Sequence, residues 1–204
     1  VTAYEYDTIG NLTKITDALG NVRNFTYDKL GRRLTAEDLH ASGDTTFGSY
    51  AFQYDVAGNL TQKQTPNTQT INYTYDVLNR PLTEDFTGQS GTEVTYGYDS
   101  CAHGIGRLCT FTNYAETRAN TYDFAGNIKT EAKTIWGTAY PTTYGYNFLG
   151  NLLTIVSPNS ATTTYSYNLG GRIETVTWQA PASTTANSIV SNFDYAPTGD
   201  VTRV

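Results

Sequence analysis

Residues 4–12 of the chain read Tyr4-Glu5-Tyr6-Asp7-Thr8-Ile9-Gly10-Asn11-Leu12. The pattern is an aromatic residue, any residue, Tyr-Asp, two variable residues, Gly, Asn or Arg, and then Leu or Ile. It returns at residues 52–60 as Phe52-Gln53-Tyr54-Asp55-Val56-Ala57-Gly58-Asn59-Leu60. Because a motif that recurs along a chain is the signature of a repeat architecture, this motif decides the fold.

The motif occurs nine times, with variations, and its second tyrosine marks each copy. These tyrosines are Tyr6, Tyr27, Tyr54, Tyr75, Tyr98, Tyr122, Tyr146, Tyr167 and Tyr195. Successive ones are 21 to 28 residues apart. A 21-residue unit has room for two strands of about six residues with a turn at each end. We therefore predict one β-hairpin for each repeat, with the extra residues of the longer units in loops at 37–49 and 179–191.

The Asp-x-x-Gly segment of each copy is predicted to be the hairpin turn. Asp at the first position of a type I turn accepts backbone N–H groups, and Gly adopts the left-handed conformation of the following bulge. Asn79 replaces Gly in the fourth copy, and Asn is the next most tolerant residue in that conformation. The predicted turn residues are Asp7, Gly10, Asp28, Gly31, Asp55, Gly58, Asp76, Asn79, Asp99, Gly106, Asp123, Gly126, Asn147, Gly150, Asn168, Gly171 and Gly199.

The two aromatic residues of each motif lie two positions apart, so they point to one face of a strand. We expect the nine tyrosines to form a ladder that is the core, with rings of neighbouring repeats in contact. A sheet of about 18 strands would be about 85 Å wide, and twisted sheets of that width curl or close. The predicted fold class is all-β: tandem β-hairpins in a spiralling antiparallel sheet, a hollow tube or shell wall. A β-propeller is the alternative, although nine hairpins would make four and a half blades.

These motifs resemble the YD-repeat, or Rhs-repeat, family over essentially the whole chain. The resemblance implies a long β-sheet that spirals into a hollow shell, as in bacterial polymorphic toxins, the cocoon of Tc toxin complexes, wall-associated proteins and teneurins. In toxin-bearing members a segment after the repeats seals the shell and cleaves itself, and we find no such segment here. We expect residues 1–204 to be a single array of about nine repeats, truncated at both ends from a longer one.

The fifth repeat departs most from the motif, because four residues are inserted at its turn between Cys101 and Cys109. Two cysteines that flank a hairpin tip can lie opposite each other at the separation that a disulfide requires. A Cys101–Cys109 disulfide is predicted, which implies an oxidising compartment and hence a secreted or cell-surface protein. The alternative is a metal site made by these cysteines and His103, but a fourth ligand is missing nearby.

The repeated aspartates could be mistaken for catalytic carboxylates. A catalytic pair is needed once and in unequal environments, whereas these residues are equivalent from repeat to repeat. Turn capping is the favoured interpretation, and calcium binding along the row is the alternative. We expect no catalytic residue, no metal and no cofactor, and we predict that the chain is not an enzyme.

Trp136 and Trp178 lie outside the motif, near or in connecting segments. Exposed aromatic rings there could stack on sugar rings, which makes these two residues candidates for glycan contact. The alternative, which we favour, is that they cover the edge of the tyrosine ladder, because large aromatic residues are mostly buried.

The net charge and the apolar pattern of the chain restrict the partners that we expect. The formal charge of −6 is unsuited to neutralising phosphates, so nucleic acid is not expected. No apolar run is long enough for a membrane span. We predict a structural segment of an extracellular shell wall or filamentous appendage, which contacts further repeats or copies of itself. The alternatives are an adhesion module for a glycan or cell-surface protein and part of a toxin-encapsulating cocoon around a cargo polypeptide.

Overall fold

A computed structural model describes residues 1–203, so Val204 of the predicted array lies outside the described residues. All regular structure in this range is β-strand, in twenty strands. The strands are β1 Ala3–Tyr6, β2 Leu12–Thr16, β3 Asn21–Tyr27, β4 Arg33–Glu37, β5 His40–Ala41, β6 Ser49–Tyr54, β7 Leu60–Gln64, β8 Thr70–Tyr75, β9 Pro81–Phe86, β10 Val94–Tyr98, β11 Leu108–Thr112, β12 Glu116–Tyr122, β13 Ile128–Ile135, β14 Thr138–Tyr146, β15 Leu152–Val156, β16 Thr162–Tyr167, β17 Ile173–Gln179, β18 Ala186–Val190, β19 Asp194–Tyr195 and β20 Val201–Arg203.

The described part of the chain contains no helix long and apolar enough to cross a membrane.

The chain divides into two compact units, Val1–Thr95 and the residues from Tyr96 onward. In the first unit, antiparallel pairs link β1 to β2, β2 to β3, β3 to β4, β4 to β6, and then each strand to the next as far as β9. In the second unit, each strand from β11 to β17 pairs with the next, and β19 pairs with β20. The predicted all-β class of tandem antiparallel hairpins is confirmed.

Nine of the hairpins carry the motif, and two strands, β5 and β18, stand outside them. Both extra strands lie in the two longest units, where we predicted loops. That prediction was wrong for residues 40–41, which pair with β3, and for residues 186–190, because Asn187 pairs with Trp178 of β17 and Ala186 pairs with Gln179. The Ser- and Thr-rich composition suggested a loop, but the free edge of β17 offers backbone partners that a loop would leave unmade.

A register shift recurs where the incoming strand reaches its second tyrosine. It lies between Gln53 and Tyr54, between Thr74 and Tyr75 and at the equivalent points of other hairpins. The extra residue lies on the return strand, for example Thr61 between Leu60 and Gln62, three residues after the turn glycine Gly58. This places the motif turns at one end of every hairpin and the connecting turns at the other.

Few side chains are fully buried. The buried apolar residues are Val22, Phe25, Ala36, Cys109, Tyr122 and Ala161. Of the nine motif tyrosines, Tyr122 is buried, Tyr6 is exposed and the others are half-buried. The tyrosines therefore line the sheets without forming the closed core that we expected.

Candidate functional site: the repeat turns, their edge and the disulfide loop

The turn from Asp55 to Asn59 shows how the motif folds. The Asp55 carboxylate accepts the backbone N–H of Asn59 at 2.8 Å and the side-chain amide of Asn59 at 2.9 Å. Backbone hydrogen bonds from Asp55 to Asn59 and from Gly58 to Asp55 close the turn at 2.9 and 3.2 Å. Gly58 has φ +94°, which L-residues rarely adopt.

The same arrangement recurs around the acceptors Asp7, Asp28, Asp76 and Asp123. The eight predicted glycines all have positive φ, and Asn79 adopts φ +61° in their place. The connecting turn Asp17–Asn21 is a further copy that we did not identify, with Gly20 at φ +86° and the Asp17 carboxylate on the N–H of Asn21. Its Asp-x-x-Gly-Asn sequence is the signal that could have identified it.

Asparagine can replace aspartate in this turn. The amide oxygen of Asn147 accepts the N–H groups of Leu149 and Asn151, and that of Asn168 accepts those of Gly170 and Arg172. In the fifth repeat Asp99 has φ +69° and accepts the N–H of Gly106 at 2.6 Å. One acceptor oxygen on a short side chain thus caps eight of the nine motif turns, and the ninth, at Ala196, closes through backbone hydrogen bonds.

These hydrogen bonds favour the ionised carboxylates. The side-chain amide of Asn59 is the largest cause of the lowered pKa of Asp55, and Asn127 does the same for Asp123. For Asp28 and Asp76 the largest cause of the lowered pKa is the backbone N–H of the arginine four residues on. The N–H donors on these carboxylate oxygens fit the turn-capping interpretation.

Arginine after the turn glycine connects one repeat to the next. Arg32 pairs with Asp28 at 2.7 Å, donates to the backbone carbonyl of Asp55 at 2.9 Å and lies 4.9 Å from the centre of the Tyr54 ring. Arg172 likewise lies over Tyr195 at 5.4 Å. Sequence reasoning treated Asn and Arg as equivalent here, but they link the repeats differently. Arg32 reaches the backbone of the next turn, whereas the side-chain amide of Asn59 donates to the side chain of Asn79 in the next turn at 2.7 Å.

The motif tyrosines join successive hairpins through their hydroxyl groups. Six of the nine donate to the backbone carbonyl near the start of the return strand of the hairpin before their own, at 2.7–2.9 Å. The pairs are Tyr27 with Leu12, Tyr54 with Arg33, Tyr75 with Leu60, Tyr122 with Leu108, Tyr167 with Leu152 and Tyr195 with Ile173. These bonds take the place of the expected ring contacts, because equivalent tyrosines are two strands, about 9.6 Å, apart.

The Cys101–Cys109 disulfide is present, with the two Cα atoms 5.4 Å apart. Residues 101–107 fold back so that the carbonyl of Ala102 accepts the N–H of Tyr122 at 3.1 Å. A side chain at Gly104 would collide with both sulfur atoms. The prediction is confirmed, and the alternative metal site is wrong because both thiols are consumed by the bond.

The two tryptophans have different surroundings. Trp136 is 67% exposed in the turn between β13 and β14, and its ring meets that of Tyr114 edge-on at 5.0 Å. Tyr114, 85% exposed, lines with it a groove of about 430 Å³ whose other walls include Asn113, Glu116 and Thr134. Trp178 is 37% exposed and lies on β17, in a strand where we expected a connecting segment.

The variable positions of the turns carry large apolar side chains that face solvent. We call these residues the tip row of each unit. In the first unit the tip row is Ile9, Leu30, Val56, Val77 and Leu78, and in the second it is Ile105, Phe124, Phe148, Leu149 and Leu169. All are exposed. The two variable positions of the motif were not considered in the sequence analysis, although their apolar character is visible there.

Within residues 1–203 no three His, Cys, Asp or Glu side chains are gathered as ligands for a metal ion. The carboxylates at the turns each hold backbone donors, and they are equivalent from repeat to repeat. The site is therefore a repeated structural element, and its chemistry is hydrogen bonding and packing.

Comparison with known proteins shows what the chain is similar to. Residues 6–45 and 54–88 match the family model of the RHS Repeat, which confirms the resemblance over these residues. No curated protein matches the chain in sequence. Among solved structures, the crystal structures of TcdB2-TccC3-TEV and TcdB2-TccC3-Cdc42 have TM-scores of 0.80 and 0.79, each with 14% identity over 98% of this chain. A Photorhabdus luminescens Tc holotoxin pore gives 0.51 at 14% identity over 98%.

The chain spans 11% of the length of the first two of these structures and 15% of the third. At 14% identity the similarity shows a shared fold.

Proposed function

We propose, from the premise that this chain is an RHS-repeat protein, that it is a non-catalytic wall segment of an extracellular β-spiral. In this role the repeats form part of a shell wall or a filamentous appendage. Further repeats, or other copies of the chain, are its neighbours. The six tyrosine hydroxyl bonds carry the proposal, because each fastens a hairpin to the one before it and so suits an array that extends by adding hairpins.

The exposed surface supports a role inside a larger assembly. The chain has 12957 Å² of accessible surface. A compact monomer of its mass, 22.4 kDa, is expected to expose about 9,400 Å². The excess of about 3,500 Å² is surface that a compact monomer would bury, and in this proposal neighbouring repeats cover it. The small number of buried side chains also supports a role inside a larger assembly.

A cargo-enclosing shell is the form of this wall that the solved structures favour. The similar structures belong to TcdB2-TccC3 and to a Tc holotoxin pore, in chains several times longer than this one. We infer that repeats of this kind enclose a polypeptide cargo when the array is long enough to surround one. The disulfide supports an oxidising, extracellular setting.

Negative-stain electron microscopy with mass photometry of unreduced protein tests the proposal. Closed particles much heavier than 22.4 kDa would support a shell, and uniform fibres would support an appendage. A monomer at every concentration would count against a wall made from this chain and would favour the second candidate function.

That second candidate is glycan adhesion, and the groove at Tyr114 and Trp136 favours it. Two exposed rings at right angles, beside Asn113 and Thr134, offer a sugar both a stacking surface and polar partners. Replacing Trp136 by Ala should abolish signals on a glycan array, while Trp178→Ala should leave them unchanged. Equal binding by Trp136→Ala and the native chain would remove this candidate.

A further inference from the structure

Trp136 occupies a turn position that its side chain does not favour. It is the first of the two residues between β13 and β14, with φ +48°, and Gly137 follows with φ +80°. Asn-Gly is the usual sequence for a two-residue hairpin turn in which both φ values are positive. The indole ring is 67% exposed, so burial does not offset the cost of a bulky side chain in this conformation. Strained residues cluster at ligand sites, and this one therefore indicates a role for the exposed ring.

The Trp136 ring lies beside the ring of Tyr114 on an ordered backbone. The backbone N–H of Trp136 donates to the carbonyl of Ala115 at 3.1 Å, which joins the turn between β13 and β14 to the turn between β11 and β12. The side-chain oxygen of Asn113 accepts the N–H groups of Ala115 and Glu116 at 3.0 and 2.8 Å and so holds the second turn. Because the backbone that carries both rings is ordered before any ligand arrives, the entropic cost of binding is lowered.

The two rings form a right-angled corner. Their centres are 5.0 Å apart and their planes are inclined by 84°. A positive charge over the face of one ring, beside the edge-on contact, lies within about 6 Å of both ring centres, the range over which a ring attracts a cation. Both rings are exposed, so these faces are open to a ligand. Aromatic faces around one point are the arrangement by which proteins recognise quaternary ammonium groups.

The charge of the groove beside Trp136 and Tyr114 also favours a cation. Among the described residues that line it, the one charged side chain is Glu116, and there is no Lys or Arg. An anionic ligand would therefore find no basic partner in this lining. Oε1 of Glu116 accepts from Arg118 at 2.7 Å, so the carboxylate charge is partly neutralised and the ring faces supply the rest of the attraction.

Hydrogen-bond acceptors decide which kind of cation fits. Three oxygens at the groove already hold donors, namely the side-chain oxygen of Asn113, the carbonyl of Ala115 and Oε1 of Glu116. An ammonium with three N–H donors would compete with these partners and lose hydrogen bonds to water. A quaternary ammonium has no N–H donor to satisfy, and its methyl groups can pack against the ring faces.

We propose that the corner between Trp136 and Tyr114 binds a quaternary ammonium group, such as a choline group that substitutes a cell-surface glycan. The inference rests on the adhesion candidate and names the chemical group that the groove recognises. The groove, of about 430 Å³, is large enough for a trimethylammonium group and the chain that carries it.

The test is a nuclear magnetic resonance titration of the isotope-labelled, unreduced chain, followed through the indole N–H signals of its two tryptophans. Choline chloride should shift the Trp136 signal saturably and leave the Trp178 signal in place. The neutral alcohol 3,3-dimethylbutan-1-ol, which has the shape of choline without its charge, should bind at least about tenfold more weakly. Sodium chloride at matched concentration controls for ionic strength.

Two variants separate the ring faces from the general surface. Tyr114→Leu keeps a bulky apolar side chain but removes one aromatic face, so it should weaken choline binding at least about fivefold, measured from the Trp136 signal. Phe148→Leu is the matched control, because its ring is fully exposed in a motif turn, and it should bind choline as the native chain does. Circular dichroism and a thermal melt establish that both variants are folded.

The outcomes separate this inference from the adhesion candidate. Equal binding of choline and its neutral isostere, or unchanged binding in Tyr114→Leu, would overturn the inference. A neutral sugar that shifts the Trp136 signal where choline does not would overturn it and leave adhesion standing. If neither choline nor any sugar of a glycan array binds, both are lost. Binding to phosphatidylcholine vesicles that Tyr114→Leu abolishes would keep the quaternary ammonium site and overturn its assignment to a glycan.

Discussion

The phenolic hydroxyl of Tyr75 donates a 2.9 Å hydrogen bond to the backbone carbonyl of Leu60, the first residue of β7. The bond joins two successive hairpins at a point where the sheet pairing alone would leave a lone pair of that carbonyl unused. Tyr27 and Tyr167 make equivalent bonds to Leu12 and Leu152. These tyrosines therefore act on the backbone of the hairpin before their own.

Replacing Tyr75 by Phe should lower the free energy of unfolding by about 1 kcal/mol, since the ring stays and one hydrogen bond is lost. Urea denaturation followed by circular dichroism measures the change. Tyr114→Phe is the control, because that side chain is 85% exposed and its hydroxyl is readily solvated. Equal decreases in the free energy of unfolding for the two substitutions would mean that the hydrogen bond from Tyr75 to Leu60 does not stabilise the fold.

Replacing Cys101 and Cys109 together by Ser should lower the free energy of unfolding by about 2.5 kcal/mol, the value for closing a loop of this length. The same variant should speed hydrogen exchange at the N–H of Tyr122, because residue 102 would no longer be held against it. Reductant should destabilise the native chain and leave the variant unaffected. Unchanged exchange at Tyr122 would show that the loop keeps its place without the bond.

The repeat, its hairpins and the disulfide were predictable from sequence because each depends on local chemistry. Asp55 and Gly58 fix a turn through their own conformational and hydrogen-bonding preferences, and nine copies reinforce the interpretation. What sequence reasoning missed depends on distances between repeats. The reach of Arg32 to the next turn, and the carbonyl that Tyr75 finds, follow from the spacing of strands in three dimensions.

The strand β18 illustrates the same limit. Its residues have the composition of a loop, and its pairing is supplied by the edge of β17. The ring contacts expected between tyrosines failed for a related reason, since the return strand of each hairpin stands between them. In both cases the local sequence pattern was interpreted without the strand that lies beside it in the structure.

Acid should destabilise the chain through its turn carboxylates. Asp55 has a pKa below the ordinary value of 3.8, mainly because Asn59 donates to its carboxylate. A carboxyl whose folded pKa is lowered contributes stability above the unfolded value, and that contribution is lost as the pH falls through the folded value. Asp55→Asn should therefore reduce the drop in melting temperature between about pH 6 and about pH 2.5.

The chain supplies the reciprocal control at Asn147, which already caps a turn without a charge. Asn147→Asp should enlarge the same drop in melting temperature, because it adds a carboxylate whose ionised form the turn favours. Thermal melts of both variants and the native chain across this pH range provide the comparison. If the melting temperature falls by the same amount with pH in all three proteins, other carboxyl groups control acid unfolding.

The connecting turn Thr65–Gln69 contains a strained residue. Thr68 is exposed, and its φ of +66° lies in the left-handed region, where a β-branched side chain is disfavoured by about 1–2 kcal/mol. The turn is closed by backbone hydrogen bonds from Thr65 to Gln69 and from Thr68 to Thr65, both at 2.9 Å, which no side-chain change removes.

Thr68→Gly should therefore raise the free energy of unfolding by about 0.5–1 kcal/mol, because relief of strain exceeds the greater freedom of Gly in the unfolded chain. The midpoint of urea denaturation should rise with an unchanged slope. The converse substitution Gly20→Thr, at φ +86° and with open space around the position, should cost about 1 kcal/mol. If Thr68→Gly lowers the midpoint instead, the hydroxyl of Thr68 has a role in the turn that outweighs its strain.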